Sequence, residues 1–247
     1  MHLLKNLTIG GLESWVLAGI RSSGGDEEQR LRFFSFEDPE SSRWLLYESG
    51  SVTFSSMAKR LGPFLRALWR AAPPMREPPL PATDQAKRRS SFDHGGIRMP
   101  TSFPGFHGAY AEDLYRACTA HIGAHIHYSG SRFPVRKLKP IQIAVISLLE
   151  DARVESLAMH EFPGLKRLWL PLHVAQTPSS LSPNNALMAP NMLARLARAL
   201  IDPDFEDFDG WVMKAKTEFF NRENDWCNPE ISREIGGLLG NELGQMR

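Results

Sequence analysis

PIQIAVISLLEDARVESLAMHEF, residues Pro140 to Phe162, is the stretch on which the reading of the fold turns. Proline has a φ already near the helical value and lacks an amide N–H, so Pro140 suits the first turn of a helix, where that N–H would have no partner. The run continues to about Phe162, where Pro163 and Gly164 stop it. Inside it, EDARVE cannot be a simple exposed stripe. Glu150 and Arg153 are spaced i, i+3, while Asp151 and Glu155 are spaced i, i+4, so some of the four charges must face neighbouring helices. An arginine held between carboxylates fixes helix register, and the four residues are read as a polar network joining two helices.

Working outward, Gly108 to Tyr128 carries Tyr110, Leu114, Ala117, Cys118, His121 and His125 on a helical stripe. Three more helices are expected downstream, at Asn191 to Ile201, Trp211 to Asn221 and from Pro229 onward, after a long connection marked by Pro178, Pro183 and Pro190. Trp169, Leu170 and Leu172 follow the helix stop and are read as core, with partner anchoring as the alternative. Upstream, Ser90 to Pro104 suits a small hairpin with Gly95 and Gly96 at its turn. Pro73, Pro74, Pro78, Pro79 and Pro81 make the segment before it extended rather than helical. Leu12 to Trp69 reads as two helical stretches separated by Gly24, Gly25 and Pro39, with Met57, Leu61, Phe64, Leu65, Leu68 and Trp69 on the apolar face of the second and Pro63 arguing for a break or a late start. The expected fold is mainly α, a helical domain with long Pro-rich loops and one small β-hairpin. Its divisions are 1–72, an N-terminal helical subdomain; 73–107, Pro-rich loop and hairpin; and 108–247, a helical core domain.

Composition narrows the function classes. The 247 residues are 42% hydrophobic and 23% charged, ordinary values for a globular chain with a sizeable core. A net charge of +1 gives no reason to expect nucleic acid or an anionic membrane as the partner, and the triplet Lys87, Arg88, Arg89 reads as a solvated face. No apolar run approaches the roughly 18 residues of a membrane span, and the N-terminus makes a poor signal peptide, so a cytoplasmic location is expected. Cys118 and Cys227 stand far apart in no CxxC pairing, which excludes a zinc ribbon and suggests two reduced, packed thiols.

The strongest chemical signal is AHIGAHIHYS. His121 and His125, spaced i, i+4, project from one helical face as a helix-borne zinc site requires, and Glu150 or Glu155 offers a third ligand from another helix. The general-base glutamate of an HExxH protease, however, is replaced by Ile122, so hydrolysis by that mechanism is not expected. No catalytic residue, cofactor or metal is expected in this chain; His121, His125 and Glu150 are the metal candidates, and a degenerate metallohydrolase or metal-binding domain is the alternative. The acidic run Asp202, Asp204, Glu206, Asp207, Asp209 fails as a calcium loop, because its sixth and twelfth positions are Asp207 and Met213. It reads as an inter-helix loop that caps the next helix. There is no P-loop, no GxGxxG after a strand, and no GxSxG elbow.

Lys137 to His173, KLKPIQIAVISLLEDARVESLAMHEFPGLKRLWLPLH, resembles the N-terminal region of von Willebrand factor A-containing proteins of the CbbO/NorD type. AHIGAHIHYS, the early GGLESWVLAG and the final GNELGQMR are similar to the same proteins, with the EDARVE-to-FPGL block the most specific. The resemblance implies a non-catalytic adaptor for a hexameric MoxR-type AAA+ ATPase, the pair remodelling a client: Rubisco for CbbO, nitric oxide reductase for NorD. ATP and Mg would belong to the partner. In that family GQMR leads on to a von Willebrand A domain, so the chain is expected to be cut short of it. An ATPase-independent scaffold that binds its client directly is a further alternative.

Overall fold

A computed structural model of the chain describes residues 7–79, 89–130, 134–135, 137–175 and 189–245. The fold is mainly α, with ten α-helices and one three-stranded sheet among the described residues. The chain forms two units, one of residues 1–66 and 71–116, the other of 67–70 and 117–247. The segment 73–107 therefore belongs with the first unit, and the division falls inside a helix rather than before residue 108. Pro81, Pro178, Pro183 and, of the basic triplet, Lys87 and Arg88 lie outside the described residues, while Arg89 is exposed.

The first unit begins with four helices, α1 (Ile9–Ser22), α2 (Glu27–Phe34), α3 (Pro39–Glu48) and α4 (Phe54–Trp69), where the sequence suggests two stretches. Local punctuation explains the larger number. Gly24, Gly25 and Gly50 adopt positive φ, which ends α1 and α3 at low steric cost. Asp26 and Asp38 cap the next helices, each accepting a backbone N–H at 2.9 Å, and Pro39 fills the first turn of α3. Trp15, Ala18, Phe33 and Leu45 form the small core, with the Trp15 indole donating to Ser41 Oγ at 3.1 Å.

Pro63 does not break α4. The residue before it is Gly62, which has no Cβ to clash with the proline ring. Lys59, whose carbonyl loses its usual donor, is on the exposed side. The buried face is Phe54, Met57, Leu61 and Leu65.

The expected hairpin is present as β2 (Ser91–Asp93) antiparallel to β3 (Gly96–Arg98). A third strand, β1 (Met75–Arg76), comes from the Pro-rich segment and pairs parallel to β3, Met75 opposite Ile97. Gly96 has φ +112°, and a Cβ there would lie 2.2 Å from Pro74 O, so the position accepts only glycine.

α5 (Gly108–Tyr128) gives its first turns to the first unit and its residues from Ala117 onward to the second. Its buried face is offset from the stripe read in the sequence: Tyr115 is fully buried and bonds the Pro100 and Thr101 carbonyls at 2.9 Å, whereas Tyr110 is exposed. The second unit continues with α6 (Pro140–Glu161), α7 (Gly164–Trp169) and a 3-10 turn at Leu170–Leu172. It is completed by α8 (Ala189–Ile201), α9 (Gly210–Asn221), a short turn at Glu223–Asp225 and α10 (Glu230–Gln245). α5, α6, α8, α9 and α10 match the five helices expected in this half; α7 is additional, and Pro190 sits in the first turn of α8 instead of the connection.

α6 is the centre of the second unit. Residues Ala152 to Ser156 are buried one after another, which only a helix covered on several sides permits. Val145, Leu149 and Ala152 meet Leu196, Val212, Phe219, Ile231 and Leu239 in one core. Three indoles tie it down by donating to backbone carbonyls: Trp169 to Ala117, Trp211 to Leu239 and Trp226 to Phe219. Trp169 is thus core, while Leu170 and Leu172 are half-buried.

Candidate functional site

The site lies where the last turns of α5 face the middle of α6, within the second unit. The i, i+4 spacing places the rings of His121 and His125 together, their centroids 4.7 Å apart. Across from them α6 presents Asp151 and Glu155, one helical turn apart. Glu155 Oε1 lies 2.8 Å from His121 Nδ1, and Asp151 Oδ1 lies 2.9 Å from His125 Nε2 and 3.9 Å from His121 Nε2. His173, after the 3-10 turn, comes within 3.7 Å of the other Glu155 oxygen.

Glu150 points to a different set of partners. Arg153 grips both its oxygens, at 2.7 and 2.8 Å, and Ser129 and Ser232 donate to it at 2.7 and 2.8 Å. Arg153 has no exposed surface and uses its remaining N–H groups on the Trp226 and Tyr128 carbonyls, at 2.6 and 3.0 Å. This clasp joins the end of α5, the middle of α6 and the start of α10. The four charged residues EDARVE therefore divide: Glu150 and Arg153 form a buried structural pair, and Asp151 and Glu155 meet the histidines.

Comparison with known protein families, with characterised proteins and with solved structures finds no match for this chain.

Hydrogen-bond accounting fixes the ring roles. A carboxylate only accepts, so His121 Nδ1 donates to Glu155. Ser129 gives its single proton to Glu150 and therefore accepts from His125 Nδ1, 2.9 Å away. Both Nε2 atoms are left turned toward Asp151. Burial alone would lower the pKa of His121, but the hydrogen bond to Glu155 and the charges of Glu155 and Asp151 prevail and lift it to about 9. Burial lowers that of His173, and the nearby His121 and Arg198 add to this against the opposing pull of Glu155.

The sign for stability follows from linkage. The His121 value is about 9 in the fold, against about 6.5 unfolded. The stabilisation is then complete below pH ~6.5 and lost as pH rises through ~9, amounting to on the order of 3 kcal/mol at most. In chelator-treated protein, the stability advantage of the parent chain over Glu155→Gln should narrow between about pH 6 and pH 10, read from urea midpoints. An advantage that stays constant across that range would mean the pair does not titrate.

Of the three metal candidates read from the sequence, His121 and His125 come together but Glu150 does not join them; Asp151 takes its place. Sequence reasoning also missed Arg195, buried on α8 with its Nε 3.3 Å from Asp207 Oδ2. Its surroundings in the sequence, MLARLARAL, suggest the polar side of an amphipathic helix. The acidic run is split among separate tasks: Asp202 pairs with Arg198 at 2.8 Å, Asp207 faces Arg195, and Asp209 caps α9. Cys118 is half-buried, while Cys227 is exposed rather than packed.

Proposed function

We propose that this chain is a non-catalytic adaptor domain that docks on a hexameric MoxR-type AAA+ ATPase in the cytoplasm and takes part in remodelling a client enzyme, Rubisco or nitric oxide reductase. The observation that carries the docking role is the outer face of α1. Ile9, Leu12, Leu17 and Ile20 are 89%, 43%, 41% and 48% exposed, while Gly11, Trp15 and Ala18 on the opposite side are buried. The four apolar side chains lie within about 140° of one another around the helix. Glu13, also exposed, lies between Ile9 and Leu17 on this face, so the surface is apolar with one carboxylate set in it, and a protein partner can cover such a surface.

The choice of partner rests on the resemblance of Lys137 to His173 to CbbO/NorD-type proteins. The block that carries it, EDARVE through FPGL, forms most of the second half of α6 and the start of α7, and supplies both members of the buried Glu150–Arg153 pair. The position beside His121 where a hydrolase of the HExxH class needs its base holds Ile122, 3% exposed. No helix among the described residues is long and apolar enough to cross a membrane.

The test is co-migration on size exclusion with a purified MoxR-type ATPase, with and without ATP. Co-elution with the hexamer, lost in Leu12→Glu/Ile20→Glu protein that keeps its helical circular dichroism, is the expected result. Clean separation of the parent chain in both nucleotide states would remove the adaptor reading. Full-affinity client binding with no ATPase present would favour a stand-alone scaffold instead.

A further inference from the structure

We propose that His121, His125 and Asp151 form a binding site for one divalent transition-metal ion, zinc by the chemistry of the donors, held by the two Nε2 atoms and an Asp151 carboxylate oxygen. One donor atom from each of the three residues lies within 4.8 Å of the other two. Ligands of a tetrahedral zinc at bonds of about 2 Å stand roughly 3–3.5 Å apart. The 2.9 Å and 3.9 Å separations of Asp151 Oδ1 from the two nitrogens bracket that spacing. Asp151 is 48% exposed on its side chain and turns without disturbing the core.

The outer partners make the case stronger than proximity alone. A metal-bound histidine donates its other ring N–H to a carboxylate or an equivalent acceptor, which sets the tautomer and aims the free nitrogen at the ion. Both histidines are already held that way, His121 by Glu155 and His125 by Ser129, itself fixed by Glu150. Glu150 is in turn locked by buried Arg153 and by Ser232. Two imidazoles so anchored turn both Nε2 atoms at a single carboxylate oxygen. That arrangement requires a positive centre between them, a proton or a metal ion. Glu150, Asp151 and Glu155 against the one guanidinium of Arg153 leave the surroundings negative, which favours a dication. The exposed side of Asp151 leaves room for water in a fourth position. Two histidines and a carboxylate suit zinc better than calcium or magnesium, which take oxygen ligands.

The site is independent of ATPase docking and is tested on the full chain alone. After tag removal and treatment with a chelator, the protein is titrated with Zn²⁺ by calorimetry and with Co²⁺ by visible absorption. The expected result is one equivalent of Zn²⁺, Co²⁺ bands of a four-coordinate nitrogen–oxygen site, and a raised melting temperature. His125→Ala and His121→Ala should lose measurable binding. Asp151→Asn, changed at a half-exposed side chain, keeps the folded circular dichroism and binds more weakly. Glu155→Gln, which removes only the outer partner of His121, weakens binding by about 10–100-fold. His160→Ala, at an exposed histidine elsewhere on α6, leaves it unchanged. No saturable Zn²⁺ binding, or one equivalent bound equally well by the folded Asp151→Asn and Glu155→Gln proteins, would overturn the proposal.

Discussion

Arg153→Ala should cost the chain about 3–5 kcal/mol, the loss expected when one member of a buried ion pair is removed and the other is left uncompensated. Arg153 has no exposed surface and Glu150 is 6% exposed, so water cannot replace the guanidinium. The substitution also orphans the carbonyls of Trp226 and Tyr128. Against a total stability of about 5–15 kcal/mol, such a loss takes a large part of the margin. The urea midpoint measures it, with the slope checked for an unchanged denatured state. The double variant Glu150→Leu/Arg153→Met should recover most of the loss, because it removes both charges, although Ser129 and Ser232 lose their shared acceptor. A loss below about 1 kcal/mol for Arg153→Ala would mean the guanidinium is hydrated in solution.

A smaller loss is expected at Gly236, with the opposite sign from its neighbour. α10 packs along α6 through Gly236 and Gly240, and a Cβ at Gly236 would lie 2.8 Å from Ile146 Cα and 3.0 Å from Ile146 N. Those atoms are backbone of the central helix and cannot swing aside. Gly236→Ala gains about 1 kcal/mol of helix propensity, but overpacking costs typically 1–3 kcal/mol, so the net change is a loss. Gly236→Val adds two methyl groups and should lose more. At Gly237 a Cβ meets nothing within 4 Å. Gly237→Ala should therefore stabilise by about 0.5–1 kcal/mol. Thermal melts of the three variants read both signs; equal shifts at 236 and 237 would show that the two helices do not approach as closely as described.

The helices of the second half were legible because their ends are marked chemically. Pro140 opens α6, Pro163 and Gly164 close it, and Asp209 caps α9. The hairpin was legible from Gly95 and Gly96. β1 was not, since two residues in a Pro-rich segment carry no alternation and pair only through β3. The histidine pair was readable from its i, i+4 spacing, but the carboxylate that meets it was not. Glu150 and Asp151 differ by about 100° around the helix, and which one faces α5 depends on how α6 is rotated in its packing. That rotation is set by long-range contacts, including Ser232 on α10 reaching Glu150. Arg195 was hidden for the same reason, its partner Asp207 standing in a loop beyond the end of α8.

The tryptophans that donate to backbone carbonyls also make the chain its own optical reporter. Trp169, Trp211 and Trp226 are each 4% exposed or less, and Trp226 stacks on Phe219 with centroids 4.7 Å apart. Their emission should be shifted to short wavelength in the fold and should move red together when the second unit opens. Trp15, in the core of the first unit, reports separately, its ring edge-on to Phe34 at 5.1 Å. Replacing Trp15 and Trp44 together by Phe would leave emission from the second unit alone, so that its melting becomes visible in the colour of the light whatever the first unit does.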